Sequence, residues 1–126
     1  MPKQWYGFDL DRTLAEYPPK NGESIGKPIS NIVRVLKQYI REGRDCRILT
    51  ARVGPDKSTF EINAFKYDLD RWLRQHIGTT LLATCEKDHF VMEMWDDKAV
   101  QVVPNTGEIL QDQLEMMKRY MKAKEK

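Results

Sequence analysis

Two aspartates one residue apart, Asp9 and Asp11, end a short aromatic run in the stretch W-Y-G-F-D-L-D-R-T-L at positions 5–14. Trp5, Tyr6 and Phe8 suit a buried strand, whereas Asp9, Asp11 and Arg12 cannot all be buried without partners or a metal. A second acidic pair, Asp96 and Asp97, ends the run V-M-E-M-W at 91–95. Thr50 and Arg52 close a third run, I-L-T-A-R, and Lys87 follows a fourth at 79–85. Carboxylates gathered at one point repel unless a cation sits among them, and an all-oxygen set without Cys or His suits Mg²⁺ better than Zn²⁺. A hydroxyl such as that of Thr50 and an ammonium such as that of Lys87 can hold a phosphate's non-bridging oxygens and offset charge in the transition state. One aspartate can then attack phosphorus, and another two residues on can protonate the leaving oxygen and take a proton from the attacking water. Asp9 and Asp11 fit this pair. The chemistry these residue types suggest is metal-assisted phosphoryl transfer.

For such residues to meet, each must lie just past the carboxyl end of a strand in one sheet, the edge where open α/β sheets bind ligands. The order of elements allows it. A strand at 4–9 is followed by a loop over 15–29, punctuated by Pro18, Pro19, Gly22, Gly26 and Pro28 and long enough to reach over the carboxylates as a small lid. Ser30 offers an N-cap for a helix over about 31–42, with Ile32, Val35, Leu36, Tyr39 and Ile40 at helical spacing and Gly43 as its stop. A strand over 45–51 leads to Thr50 and Arg52, and Gly54 and Pro55 mark the loop behind them. Ser58 and Glu61 fit a capping box for a second helix, whose stripe is Ile62, Phe65, Leu69, Trp72, Leu73 and His76.

Runs at 79–85, 91–95 and 99–103 read as three further strands. Asn105 and Gly107 give a turn, and Leu110, Leu114, Met117 and Met121 mark a final amphipathic helix. The alternation indicates an α/β, three-layer Rossmann-like domain with a mainly parallel central sheet flanked by helices. Between Lys87 and the strand near 91 the chain is shorter than the dozen or so residues of a usual parallel crossover, so the third strand is expected to be short or displaced. Along an extended backbone the adjacent Asp96 and Asp97 point opposite ways, one toward the metal and one away.

These motifs resemble those of the haloacid dehalogenase-like phosphohydrolases, whose first motif is an apolar strand followed by D-x-D-x-T-L, here F-D-L-D-R-T-L. I-L-T-A-R is similar to the second motif, Lys87 to the third and W-D-D-K to the fourth, in the same order. The resemblance covers nearly the whole chain, positions 5–103. It implies Asp9 as the nucleophile of an aspartyl-phosphate intermediate and Asp11 as general acid/base whose backbone carbonyl also ligates Mg²⁺. It further implies Thr50 and Lys87 as phosphate binders and Asp97 as the second carboxylate on the metal, with Asp96 beside it. Arg12 stands where the family usually has glycine. With no large insertion after the first motif or the second strand, the chain looks like an uncapped member. An open site favours a phosphorylated substrate larger than a free metabolite, such as a nucleic-acid end or a phosphoprotein, and a second subunit is the other way to wall it. Arg52, next to the second motif, would face the substrate phosphate, as a comparable Arg does in nucleotide and polynucleotide-end phosphatases of this family. Two alternatives share parts of the pattern: a phosphoaspartate receiver-like module, which has no need of Asp11, and a catalytically silent binding protein on the same fold.

With 126 residues and 40% hydrophobic content, the chain suffices for one ordinary core, so a single domain over 1–126 is expected. A net charge of +2 is too small to argue for nucleic acid or an anionic membrane by field alone. Cys46 and Cys85, the two cysteines, lie in or beside apolar runs and read as small core residues. His76 and His89 are assigned no role. No leader-like segment and no apolar stretch near the ~20 residues of a membrane span are apparent, so a soluble, reduced cytoplasmic protein is expected.

Overall fold

The computed structural model describes residues 3–110 together with Glu115, Lys118, Arg119 and Lys122. Strand β1 is Trp5–Phe8, helix α1 Ser30–Arg41, strand β2 Asp45–Leu49, helix α2 Thr59–His76, strand β3 Ala83–Thr84 and strand β4 Val91–Trp95. The four strands form one sheet in the order β3-β2-β1-β4, with every neighbouring pair parallel. This is the α/β, Rossmann-like arrangement with a parallel sheet that the alternating sequence pattern indicates, and of the three expected layers the described residues show two, the sheet and the helices on one face. All strand tips face one edge.

Successive strands β1, β2 and β3 step in one direction across the sheet, and right-handed crossovers then place both intervening helices on the same face. Val33 and Leu36 of α1 and Phe65, Leu69, Trp72 and Leu73 of α2 accordingly join Phe8, Cys46 and Ile48 in one buried cluster. Burial pushes the Cys46 thiol up to about 11, as suits an inert core cysteine. Helix α1 starts at Ser30 itself, with Ile29 as a cap that makes no side-chain bond, so the expected Ser30 cap does not form. Helix α2 carries the expected reciprocal box: Ser58 Oγ accepts from the Glu61 amide and Glu61 accepts from the Ser58 amide, both at 3.1 Å.

Of the three further strands, the first is short, as expected, and the last does not form. The run at 79–85 keeps only Ala83–Thr84 paired. From there residues 85–90 must return from the carboxyl tip of β3 to the amino end of β4 on the far side of β1, and they do so without a helix. Trp5, which alternation places on the face opposite Tyr6 and Phe8, donates Nε1 to Asp88 Oδ1 at 2.7 Å in that segment. The run at 99–103 forms no strand. It makes a single antiparallel bridge, Val102 to Ile109, around a turn with Asn105 and Gly107 at φ 65° and 78°. Val102 is half exposed and Pro104 lacks a donor, so neither burial nor a ladder holds a strand there. The expected final helix, marked by Leu114, Met117 and Met121, lies outside the described residues. Among the described residues, no helix is long and apolar enough to cross a membrane.

The loop between β1 and α1 is held at its base. Glu16 donates to the Lys27 carbonyl at 2.8 Å, and the buried Trp72 Nε1 donates to the Gly26 carbonyl at 2.9 Å. A β-carbon on Gly26 would collide with the Glu16 carbonyl oxygen, part of the backbone. Gly26→Ala should therefore lower unfolding stability by about 2–3 kcal/mol, the upper part of the overpacking range. A urea melt whose midpoint matches wild type would show that the loop yields freely.

Candidate active site

Strand β1 is central, and its tip sets the site. The Asp9 amide donates to the Trp95 carbonyl at 2.9 Å, which fastens the tips of β1 and β4 side by side. The Thr50 amide likewise donates to the Thr84 carbonyl at 2.8 Å, joining the tips of β2 and β3. One open cavity of about 1120 Å³ lies across these tips, and Asp9, Asp11, Thr50, Arg52, Asp96 and Asp97 all line it. Six of the seven residues singled out in the sequence thus come together.

Asp9, Asp96 and Asp97 each offer a carboxylate oxygen, and the three oxygens lie within 4.8 Å of one another. Crowding shows in the charge state of Asp9. Burial, then the neighbouring charge of Asp96 and a hydrogen bond with Asp97, raise its carboxyl from 3.8 to about 7. The Thr13 hydroxyl, itself buried, opposes this by donating to Asp9 Oδ2 at 3.2 Å. Thr13 belongs to the D-x-D-x-T-L motif, and that motif is the signal for its role. An oxygen-only set this close fits a divalent cation such as Mg²⁺, which would relieve the repulsion.

The expectation that Asp96 and Asp97 point apart does not hold. It applies to extended backbone, and both residues follow the last residue of β4, where the chain bends and the Lys98 amide donates to Asp96 Oδ1 at 2.8 Å. Both carboxylates therefore reach the cluster. They still differ: Asp97 is half-buried and lies 3.9 Å from the Arg12 guanidinium, whereas Asp96 is exposed and serves its own turn. If Mg²⁺ occupies this cluster, Asp97→Asn should weaken its binding about 100-fold or more, and Asp96→Asn less, within the 10–100-fold typical of a supporting group. Calorimetric titration that ranks them the other way would exchange their roles, and no change in either would take this tip out of the metal site.

Asp11 stands apart from the oxygen cluster. Its carboxylate takes two hydrogen bonds from Arg52, Nε to Oδ2 at 2.8 Å and a terminal nitrogen to Oδ1 at 2.6 Å. Thr50 is 4% exposed, and its Oγ accepts from the Arg52 amide at 3.2 Å, which leaves the hydroxyl proton free to donate into the cavity. Arg12 adopts φ 74°, a left-handed conformation that costs an L-residue about 1–2 kcal/mol. Its guanidinium lies 3.9 Å from Asp97 and 5.3 Å from the Tyr17 ring centroid, at the cavity wall.

Lys87 is not brought in. It is exposed on the 85–90 segment and is not among the residues lining the cavity, because the chain leaves the β3 tip at once to cross toward β4. The ammonium groups that do line it are Lys57 and Lys98. Lys98 stands in the W-D-D-K motif, while Lys57 lies in the G-P-D-K loop and is marked by nothing beyond its place behind T-A-R. Tyr17, Pro19 and Ser24 show that the 15–29 loop reaches the mouth, as its length suggested. Comparison with protein-family models, curated proteins and solved structures gives no match, so the functional reading rests on these residues and their geometry.

Proposed function

We propose that the protein is a Mg²⁺-dependent phosphomonoester hydrolase of the haloacid dehalogenase-like kind, working through an aspartyl-phosphate on Asp9. One observation carries this reading: a partly buried, hydroxyl-steadied aspartate at the tip of the central parallel strand forms a close oxygen cluster with two further carboxylates, in a cavity that also holds a buried threonine hydroxyl and several cations. An acidic cluster alone would not suffice, but the hydroxyl and cations beside it match the needs of a phosphoryl group. In the first half-reaction an Asp9 oxygen forms a bond to phosphorus as the bond to the leaving oxygen breaks, and Asp11 gives that oxygen a proton. In the second, Asp11 takes a proton from water as the water oxygen attacks phosphorus and Asp9 departs. Thr50 and a lining ammonium, Lys57 or Lys98, steady the non-bridging oxygens. Bound Mg²⁺, held by Asp9, Asp96, Asp97 and the Asp11 carbonyl, would supply charge neutralisation at the phosphoryl group. The cavity is open and far larger than a phosphate, which supports a substrate of nucleotide size or a nucleic-acid end.

The bidentate hold of Arg52 on Asp11 favours one rival, a receiver-like module that takes phosphate onto Asp9 and does not release it by its own chemistry. A Mg²⁺-dependent assay on an aryl phosphate separates the two. Repeated turnover supports the hydrolase. A single equivalent of product with a lasting adduct on Asp9 supports the receiver, and no product at all leaves the chain a silent binding protein.

A further inference from the structure

Arg52 makes more contacts than a substrate anchor waiting for a phosphate needs. Besides its fork on Asp11, its other terminal nitrogen donates to the Ser24 carbonyl at 2.8 Å, and its guanidinium lies 5.2 Å from the Phe65 ring centroid. The side chain is about a quarter exposed, as is that of Asp11, at 23% and 24%. Three segments thus meet at one guanidinium: the loop after β1 through Asp11, the far end of the 15–29 loop through Ser24, and helix α2 through Phe65. The base of that loop has its own bonds, at Glu16 and Gly26, but the stretch leading to Ser24 is tied to the site by Arg52. In this arrangement both Asp11 oxygens are occupied, and Asp11 is excluded from the oxygen cluster of Asp9, Asp96 and Asp97.

We propose that Arg52 is a positioning residue that parks Asp11 beside the metal site and clasps the loop at Ser24, and that an incoming phosphate releases both by taking over the guanidinium. The argument is one of matched chemistry. A guanidinium fork binds a carboxylate and a phosphate by the same paired geometry, and a doubly charged phosphate in the same cavity competes for it. Capture of the phosphate then frees the Asp11 oxygens at the moment a leaving oxygen arrives that needs a proton. The acid/base group is kept away from the cation until substrate is present. This rests on the phosphatase reading for the catalytic role of Asp11, whereas the clasp stands on the contacts alone.

The test is amide hydrogen exchange across residues 17–24 in wild type, Arg52→Lys and Arg52→Met, with Mg²⁺ and with or without saturating inorganic phosphate, alongside kcat and KM on an aryl phosphate. In wild type, phosphate should speed exchange about tenfold, the scale of losing one charge-assisted hydrogen bond. Arg52→Met should exchange that fast without phosphate and respond no further. Arg52→Lys keeps a cation but not the fork, so it should lose more in kcat than it gains in KM, and it serves as the second variant if the methionine form folds poorly. Wild-type exchange that phosphate leaves unchanged or slows, or Arg52→Met exchange at the wild-type rate, overturns the proposal. A loss confined to KM overturns it too and returns Arg52 to a plain substrate anchor. Failure of the phosphatase reading itself would appear separately, as a wild type that releases no product while the exchange comparison still decides the clasp.

Discussion

Under the proposed phosphatase mechanism, Asp9→Asn should reduce Mg²⁺-dependent phosphate release on the order of a thousandfold or more, because an amide oxygen cannot replace a carboxylate nucleophile. The fold should survive, since the Thr13 hydroxyl can still donate to the amide oxygen and the backbone bond to Trp95 is untouched. Stability supplies an independent check through its pH dependence. The folded-state carboxyl titrates near 7 and the unfolded one near 3.8, so between these values the folded protein holds a proton the unfolded chain has released. Wild-type stability therefore falls as pH rises through that window, and the loss is complete above it. The asparagine variant lacks this slope. At pH 8 without metal it should be the more stable by about 1–2 kcal/mol, a figure reduced because water reaches the open site and screens the crowding. Excess Mg²⁺ should reverse the order by offsetting the repulsion in wild type, a gain of about 2.7 kcal/mol at a hundredfold over Kd. Residual activity above a few per cent would sink the nucleophile assignment. Equal pH slopes in the two proteins would mean that Asp9 is not crowded as its neighbours imply.

Much of this site is legible in the sequence because strand tips announce themselves: an aromatic or aliphatic run that stops at an acid or a threonine leaves few other places for the polar group to go. Trp5–Phe8 before Asp9, Asp45–Leu49 before Thr50 and Val91–Trp95 before Asp96 are all of this kind. The helices are legible for a similar reason, since the stripe Phe65, Leu69, Trp72, Leu73 repeats at the helical period and faces the core. What the sequence hides is direction. Periodicity cannot tell that the chain after Thr84 turns straight back toward β4, and that turn is why Lys87 stays outside the cavity. Nor can it tell a buried run from an exposed one when both are short, so 99–103 looks like a strand although Val102 finds no core. The pairing of Arg52 with Asp11 joins positions on different strand tips and leaves no trace in spacing. The bend after Trp95 is equally silent, and it brings both Asp96 and Asp97 to the cluster against the alternation rule.

Under the same proposed mechanism, Asp11→Asn should slow turnover by about 10²–10⁴, the range typical of losing a positioned proton donor and acceptor. The size of the loss should depend on the leaving group. An aryl oxide departs without a proton, so its release suffers little and the remaining loss reports hydrolysis of the aspartyl-phosphate, whereas an alkyl oxide needs the proton at departure and should suffer more. The variant is a fair test because asparagine can still accept one of the Arg52 hydrogen bonds through its side-chain oxygen, and the Ser24 contact does not involve it. The neighbouring cluster is also preserved, since Asp11 contributes no side-chain oxygen to it. If Asp11 acts only as the anchor for Arg52, its replacement disturbs the loop and the phosphate equally for every substrate. Equal losses on aryl and alkyl phosphates would then be measured, with no accumulation of phosphorylated Asp9 on rapid acid quench. If it is the acid/base, the two substrates separate, and the quenched aryl reaction traps the Asp9 adduct, because the second half-reaction has lost the group that takes the proton from water.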